Sequence, residues 1–252
     1  MRKTEKLYYQ DPYRVSTTAT IVRIDDDALE LDRTIAYPEG GGQEADAGRI
    51  EHPAGGAVVG FVDVRRRYGV DVRIDDDKYI NVDGVISHIV APSDRERLGS
   101  FSVGDQVVVS IDPLRREKLS TSHSACHLLY LAVMEVRPGI ERNLIGCHVR
   151  EGQARFDMLT DERFDEAEIR RIGEIANRYV EADHPISLYA SDQHPDARYW
   201  ACAGQVVPCG GTHIERTGPI GQLAIKRKNI GKGKERVICV LPELEYSVAH
   251  YR

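Results

Sequence analysis

Two short segments rich in metal-ligating side chains, residues 123–127 and 209–213, constrain this chain more than any other feature. His123 and His127 stand four residues apart in a stretch of helical periodicity. Their imidazoles therefore leave one face of a helix about one turn apart. Read in isolation, such a pair is equally compatible with ordinary surface or core histidines. Cys209 and His213 are again four residues apart, with Gly210 and Gly211 between them, and a loop so rich in glycine can wrap its backbone around a cation. Three imidazoles and a thiolate form a donor set suited to zinc. The expectation is one zinc ion per chain, held by His123, His127 and Cys209 with His213 as fourth ligand. Four protein ligands suit a structural site, whereas catalytic zinc keeps a position for water or substrate. The sequence leaves both roles open.

With 252 residues the chain can build one large domain or two ordinary ones. Hydrophobic residues at 41% and charged residues at 29% match a globular protein and exclude a disordered one. No run of about 18 apolar residues is present, so a membrane span is not expected. The N-terminal MRKTEKLYYQDPYR has basic residues but no apolar stretch behind them. It does not read as a signal peptide, and a cytoplasmic location is expected. The five cysteines are an odd number in such a setting, which favours metal binding or burial over a disulfide framework. A net charge of −6 argues against a generic nucleic-acid binder, although binding follows local basic patches.

The fold class expected is α+β, with a small N-terminal β-barrel over residues 1–112 followed by an α+β zinc-binding unit over 113–252. Runs at 19–24, 58–62, 84–90 and 106–111 are rich in β-branched residues. Gly55-Gly56, Asp75–Asp77, Gly104-Asp105 and Asp112-Pro113 punctuate them, which suggests a small barrel. From Asp112 the character changes. A helix is predicted over 119–136, capped by Ser120, Thr121 or Ser122, and a second over 161–182. Strand candidates follow at 145–149, 154–158, 186–190, 222–226 and 236–241.

At these residues the chain resembles the alanyl-tRNA editing family, the editing domain of alanyl-tRNA synthetases and its free-standing AlaX-type relatives. HSACHLL (123–129) looks like the family's first zinc motif and PCGGTHIERTGPIG (208–221) like its second. LDRTIAYPEGGGQEADAGRI (31–50) is similar to the glycine-rich signature of the family's barrel, and GKGKERVICVL (231–241) to its closing strand. The resemblance implies a second domain of the threonyl/alanyl-tRNA synthetase editing type. It also implies trans-acting hydrolysis of mischarged tRNA(Ala) carrying serine, or glycine, with no obligate protein partner. Binding alone discriminates poorly at one-atom differences, so a second hydrolytic site is the usual remedy. The family often has Thr after the first histidine. Here Ser124 keeps the hydroxyl and is the catalytic candidate, against the plainer reading of an ordinary solvated or helix-bonded serine. Cys126 is read as a small buried side chain.

Tyr37–Gln43 lacks the Lys-Ser/Thr of a P-loop. Gly40, Gly41 and Gly42 are instead candidates for close backbone approach to the tRNA end or to the second unit. Arg115, Arg116 and Lys118 form one basic cluster, and Lys226, Arg227, Lys228, Lys232, Lys234 and Arg236 form another. Arg116, Lys226 and Lys228 are the candidate phosphate contacts, against the plain reading of solvated surface. Tyr199 and Trp200 could stack on the terminal adenine or belong to the core. His148 is read as structural, and Cys147, Cys202 and Cys239 as buried. Two rival functions remain: a non-catalytic tRNA-binding protein whose zinc holds the fold, and a zinc hydrolase of another ester, which here has no HExxH glutamate.

Overall fold

The alternation of buried and exposed residues in segments such as 16–24 and 106–111 gives each strand one face for a core. The computed structural model describes residues 3–53, 55–75, 78–242 and 245–252. Its first ten strands are β1 (Glu5–Lys6), β2 (Ser16–Ile24), β3 (Ala28–Leu31), β4 (Arg33–Thr34), β5 (Gly48–Glu51), β6 (Val58–Arg67), β7 (Val70–Asp75), β8 (Lys78–Val82), β9 (Val85–Val90) and β10 (Gln106–Ile111). Six of them close a barrel in the order β10-β2-β3-β9-β6-β5, with β5 returning to β10. Closure removes the exposed edges a small sheet would otherwise present. Ile21, Ile50, Phe61, Val107 and Val109 fill the interior. The hairpin β7–β8 stands apart from the barrel wall. Of the expected turn at Asp75–Asp77, Asp76 and Asp77 lie outside the described residues.

The α+β unit follows as α1 (Pro113–Val136), β11 (Leu144–Arg150), β12 (Gln153–Leu159), α2 (Glu166–Glu181), β13 (Ile186–Ala190), β14 (Arg198–Cys202), β15 (Gln205–Pro208), β16 (Ala224–Gly231) and β17 (Lys234–Val240). An antiparallel sheet β11-β12-β17-β16 packs under α1 and α2, and β13-β14-β15 form a second sheet. Leu128, Ala132, Phe156, Ile172, Trp200 and Val237 belong to one continuous core between them. No helix among the described residues is long and apolar enough to cross a membrane.

Two helix starts differ from expectation for identifiable reasons. α1 begins at Pro113, not near residue 119, because the Asp112 carboxylate accepts hydrogen bonds from the Leu114 and Arg115 amides and Pro113 suits the first helical position. The expected caps Ser120, Thr121 and Ser122 are interior. Thr121 donates instead to the Glu117 carbonyl one turn back, at 2.8 Å. α2 begins at Glu166, where Asp165 and Glu168 form a capping box. The strands β14 and β15 were not expected from periodicity.

Two buried ion pairs, Lys6–Asp196 and Arg116–Asp46, join the two units. Arg116 in the first turns of α1 has no exposed surface, and its guanidinium pairs with the equally buried Asp46 of the barrel's loop. It also donates to the carbonyls of Pro12 and Ile35, each at 2.7 Å. Burial opposes the charge, but Asp46 outweighs it and leaves the guanidinium above its ordinary pKa. Arg116→Met and Asp46→Asn each strand one buried charge and should destabilise the protein by about 3–5 kcal/mol. The double substitution should cost less than the sum. Urea unfolding checks this, and a loss under about 1 kcal/mol would put the pair in the class of weak surface bridges.

Candidate metal centre

α1 carries His123 and His127 on one face, and the loop after β15 brings Cys209 and His213 against them. The four ligand atoms lie within 4.8 Å of one another. Cys209 Sγ is 3.4 Å from His213 Nε2 and 3.6 Å from His123 Nε2. The His123 and His213 rings stack at 4.2 Å. Trp200, fully buried on β14, packs at 4.5 Å against His127. Gly211 is required by contact alone, because a Cβ there would lie 2.1 Å from His123 Cε1.

Two of the imidazoles, His123 and His213, are oriented by a hydrogen-bonded neighbour. Gln43, fully buried, accepts from His123 Nδ1 at 2.7 Å and from the Thr212 amide at 3.0 Å, which leaves His123 Nε2 with its lone pair toward Cys209. Its Nε2 donates to Thr212 Oγ1, which also accepts from Ser120. Ser124 Oγ sits 2.9 Å from the Ser120 carbonyl, 3.2 Å from His213 Nδ1 and 3.3 Å from the Ile214 amide. With the hydroxyl donating to Ser120, the ring donates to Ser124 and turns His213 Nε2 toward Cys209. The His127 Nδ1 atom is buried with no hydrogen-bond partner. Burial lowers His123 to about 4 and holds His127 and His213 well below the usual imidazole range. Three neutral imidazoles, one orphaned nitrogen and a thiol are a donor set that fits zinc.

The cluster lies against a cavity of about 660 Å³. Tyr9, Tyr37, Gly40, Gly41 and Arg66 line it from the barrel side, and His123, His127, Tyr130, Phe156, Arg198 and Cys209–Gly211 from the other. The glycine run reaches it by docking on the edge of β11, where Val149 donates to the Gly42 carbonyl at 2.7 Å and accepts from the Glu44 amide at 3.1 Å. Gly42 has φ +85°, and a Cβ there would strike the Cys147 carbonyl. Cys126 and Cys147 line the same cavity with sulfurs 3.7 Å apart.

Several sequence expectations need correction. Ser124 is fully buried and absent from the cavity wall, and its hydroxyl lies against the Ser120 carbonyl and His213 Nδ1. Arg116 is committed to Asp46 and has no surface to offer a phosphate. Arg115 and Lys118 are paired with Glu151, and Arg115 also with Glu44. Trp200 is core, and Tyr199 stacks on Tyr189 away from the cavity. His148 pairs with Glu44 at 3.2 Å. In the second basic cluster Arg227 pairs with Glu235 and Arg236 with Asp157, whereas Lys226 and Lys228 are exposed on β16 with no carboxylate partner among the described residues. Gln43 and Thr212 were missed; the only sequence signal was a polar residue directly after three glycines.

Burial pushes the Cys209 thiol up to about 12, opposed by the Gly211 amide. Entry of a metal therefore displaces one proton from Cys209, and the imidazoles, already neutral, release none at neutral pH. Apparent zinc affinity should rise about tenfold per pH unit between about pH 6 and 8 and fall as the pH is lowered. Competition against a chromophoric chelator at several pH values measures this; a flat profile would remove Cys209 from the ligand set. Gln43→Ala should weaken the ion about 10–100-fold in the same titration.

Residues 201–238 match the family model described as the threonyl and alanyl tRNA synthetase second additional domain. The chain is 32% identical to the alanyl-tRNA editing protein AlaX-M of Pyrococcus horikoshii over 236 residues, covering 93% of this chain and 96% of that protein. It is 28% identical to the alanine–tRNA ligase of Methanosphaera stadtmanae over 98% of its own length, and 32% identical to that of Methanopyrus kandleri over 93%. In both cases it spans about a quarter of the ligase, 27% and 26% respectively. Read with the donor cluster and the glycine-loop barrel, the match along almost the whole of AlaX-M places this chain in the alanyl-tRNA editing family.

Proposed function

We propose that this protein hydrolyses the ester of mischarged Ser-tRNA(Ala) in trans, at a zinc-containing site formed by His123, His127, Cys209 and His213. Gly-tRNA(Ala) is the second substrate of this reading, and the cytoplasm its setting. The observation that carries it is the position of the four donors against a cavity of about 660 Å³, in a chain aligned with nearly all of an alanyl-tRNA editing protein.

A zinc ion, when bound, supplies a Lewis acid for the ester carbonyl or its attacking water. The rest of the work falls to the chain. Gln43 and Ser124 hold two imidazoles in the tautomers that face Cys209. Gly40 and Gly41 present bare backbone at the cavity wall, where a tRNA end can approach without meeting side chains. Lys226 and Lys228 supply exposed, unpaired charge for the acceptor phosphates. Alanine is spared because a site whose polar groups bond the serine hydroxyl leaves them unsatisfied by a methyl group.

Four protein donors can also saturate a tetrahedral ion, which favours a second reading, a tRNA-binding protein with a structural zinc. Turnover separates the two. The zinc-loaded protein should release serine from Ser-tRNA(Ala) and leave Ala-tRNA(Ala) intact, and Cys209→Ala or a strong chelator should abolish release. Stoichiometric zinc with tRNA binding and no release would favour the structural reading. Lys226→Glu combined with Lys228→Glu should weaken tRNA binding and lower its salt slope by about two.

A further inference from the structure

Among the described residues, arginines that are partly or fully buried are, with two exceptions near the four donors, held by acids. Arg115, Arg116, Arg137, Arg155 and Arg236 each pair with a carboxylate. Arg66 on β6 and Arg198 on β14 do not, among the described residues, and both line the cavity against the four donors. Arg66 donates to the Asn81 carbonyl and faces Tyr9 and Tyr37, while its Nε is buried with no hydrogen-bond partner. Arg198 lies over the Tyr9 ring at 5.1 Å and donates to the Tyr9 carbonyl at 3.3 Å. Tyr9 thus lies between the two guanidinium groups, and its hydroxyl touches the metal loop: a Cβ on Gly210 would sit 3.0 Å from it.

A half-buried cation without an anion is costly, and a pair facing one cavity from two units calls for a ligand charge to offset it. Neither acid that lines the cavity is bonded to either arginine. Asp196 is bound to the buried Lys6 and to the Asp83 amide, and Glu39 is exposed at the mouth. Resting on the reading that the substrate is an aminoacyl-tRNA, we infer that Arg66 and Arg198 clamp the phosphodiester on the 5′ side of the terminal adenosine. At that end the α-amino group is positive and the ester neutral, so the negative charge nearest the reacting carbon belongs to this phosphate. The cavity falls within the range of about 300–1,000 Å³ that buries a ligand of nucleotide size. Forked donors match a phosphate's paired oxygens, and the aromatic surround leaves room for the sugar and base.

The test uses the zinc-loaded protein and two non-hydrolysable mimics, 3′-serylamido-3′-deoxyadenosine with and without a 5′-phosphate, compared by calorimetry. The wild type should bind the phosphorylated mimic about 10–100-fold tighter, the worth of charge-assisted hydrogen bonds. Arg66→Gln and Arg198→Gln should each cut that preference to within about threefold, and the two lysine replacements should restore part of it. Equal binding of both mimics by the wild type, or a preference that survives both glutamine variants, overturns the clamp. Should a glutamine variant lose its zinc, the lysine variant carries the comparison. Free serine is titrated as well. If the variants weaken serine and leave the phosphate preference intact, the arginines serve the product's carboxylate and the clamp is wrong. Ser-tRNA(Ala) hydrolysis, measured on the same samples, separates the two ideas. Hydrolysis without a phosphate preference sinks only the clamp, and a preference without hydrolysis sinks only the deacylase.

Discussion

The cluster of four donors depends on the register between one helix and one loop of the barrel. Arg116 and His123 lie seven residues apart on α1, two turns or about 10 Å along the axis. Asp46 and Gln43, three residues apart in the loop, span about 10 Å when extended. Arg116 meets Asp46 and His123 meets Gln43, so the loop runs antiparallel to the helix with two matched rungs. The ion pair sets the spacing and the amide then falls on the imidazole. Slippage by one residue would turn the histidines away from the loop by about 100° and leave Asp46 buried beside apolar side chains.

The centre itself is crowded with hydrogen bonds, and His127 Nδ1 and Trp200 Nε1 are buried there without a partner among the described residues. Ser120 donates to Thr212 Oγ1, which also accepts from Gln43, and Ser124 donates to the Ser120 carbonyl and contacts His213. The lone pairs of three imidazoles converge beside a protonated thiol. Such crowding offers little to the folded state by itself, so an ion bound there stabilises the fold by mass action as well as serving the site.

How much of this was legible in the sequence follows from what a residue's type reveals. The four donors were legible because imidazole and thiol at four-residue spacing have few other uses together. The barrel was legible from β-branched runs and turn residues, although β14 and β15 were not, since half-buried hairpins such as RYWAC carry no clean alternation. Arg116 was misread because a sequence displays charge and hides burial; only Asp46, far away in the chain, reveals its role. Gln43 was passed over as part of a glycine loop. Its importance lies in a contact with a histidine on another element, and no local pattern encodes that. Ser124 reads as chemical in the sequence and lies buried beside His213 Nδ1 in the fold.

The docking of the glycine run on β11 reaches beyond the site. Gln43 pairs in parallel with Val149, so the barrel lends the second sheet a further short strand at its open edge. The two units are therefore interleaved rather than merely adjacent. A chain built from the second unit alone would bare the hydrogen-bonding groups of Val149 and leave His123 Nδ1 with no acceptor. Any shortened relative must close that edge and orient that imidazole by other means, or else meet a second copy of itself there. The barrel is thus a cover for one sheet edge as well as a platform for the loop.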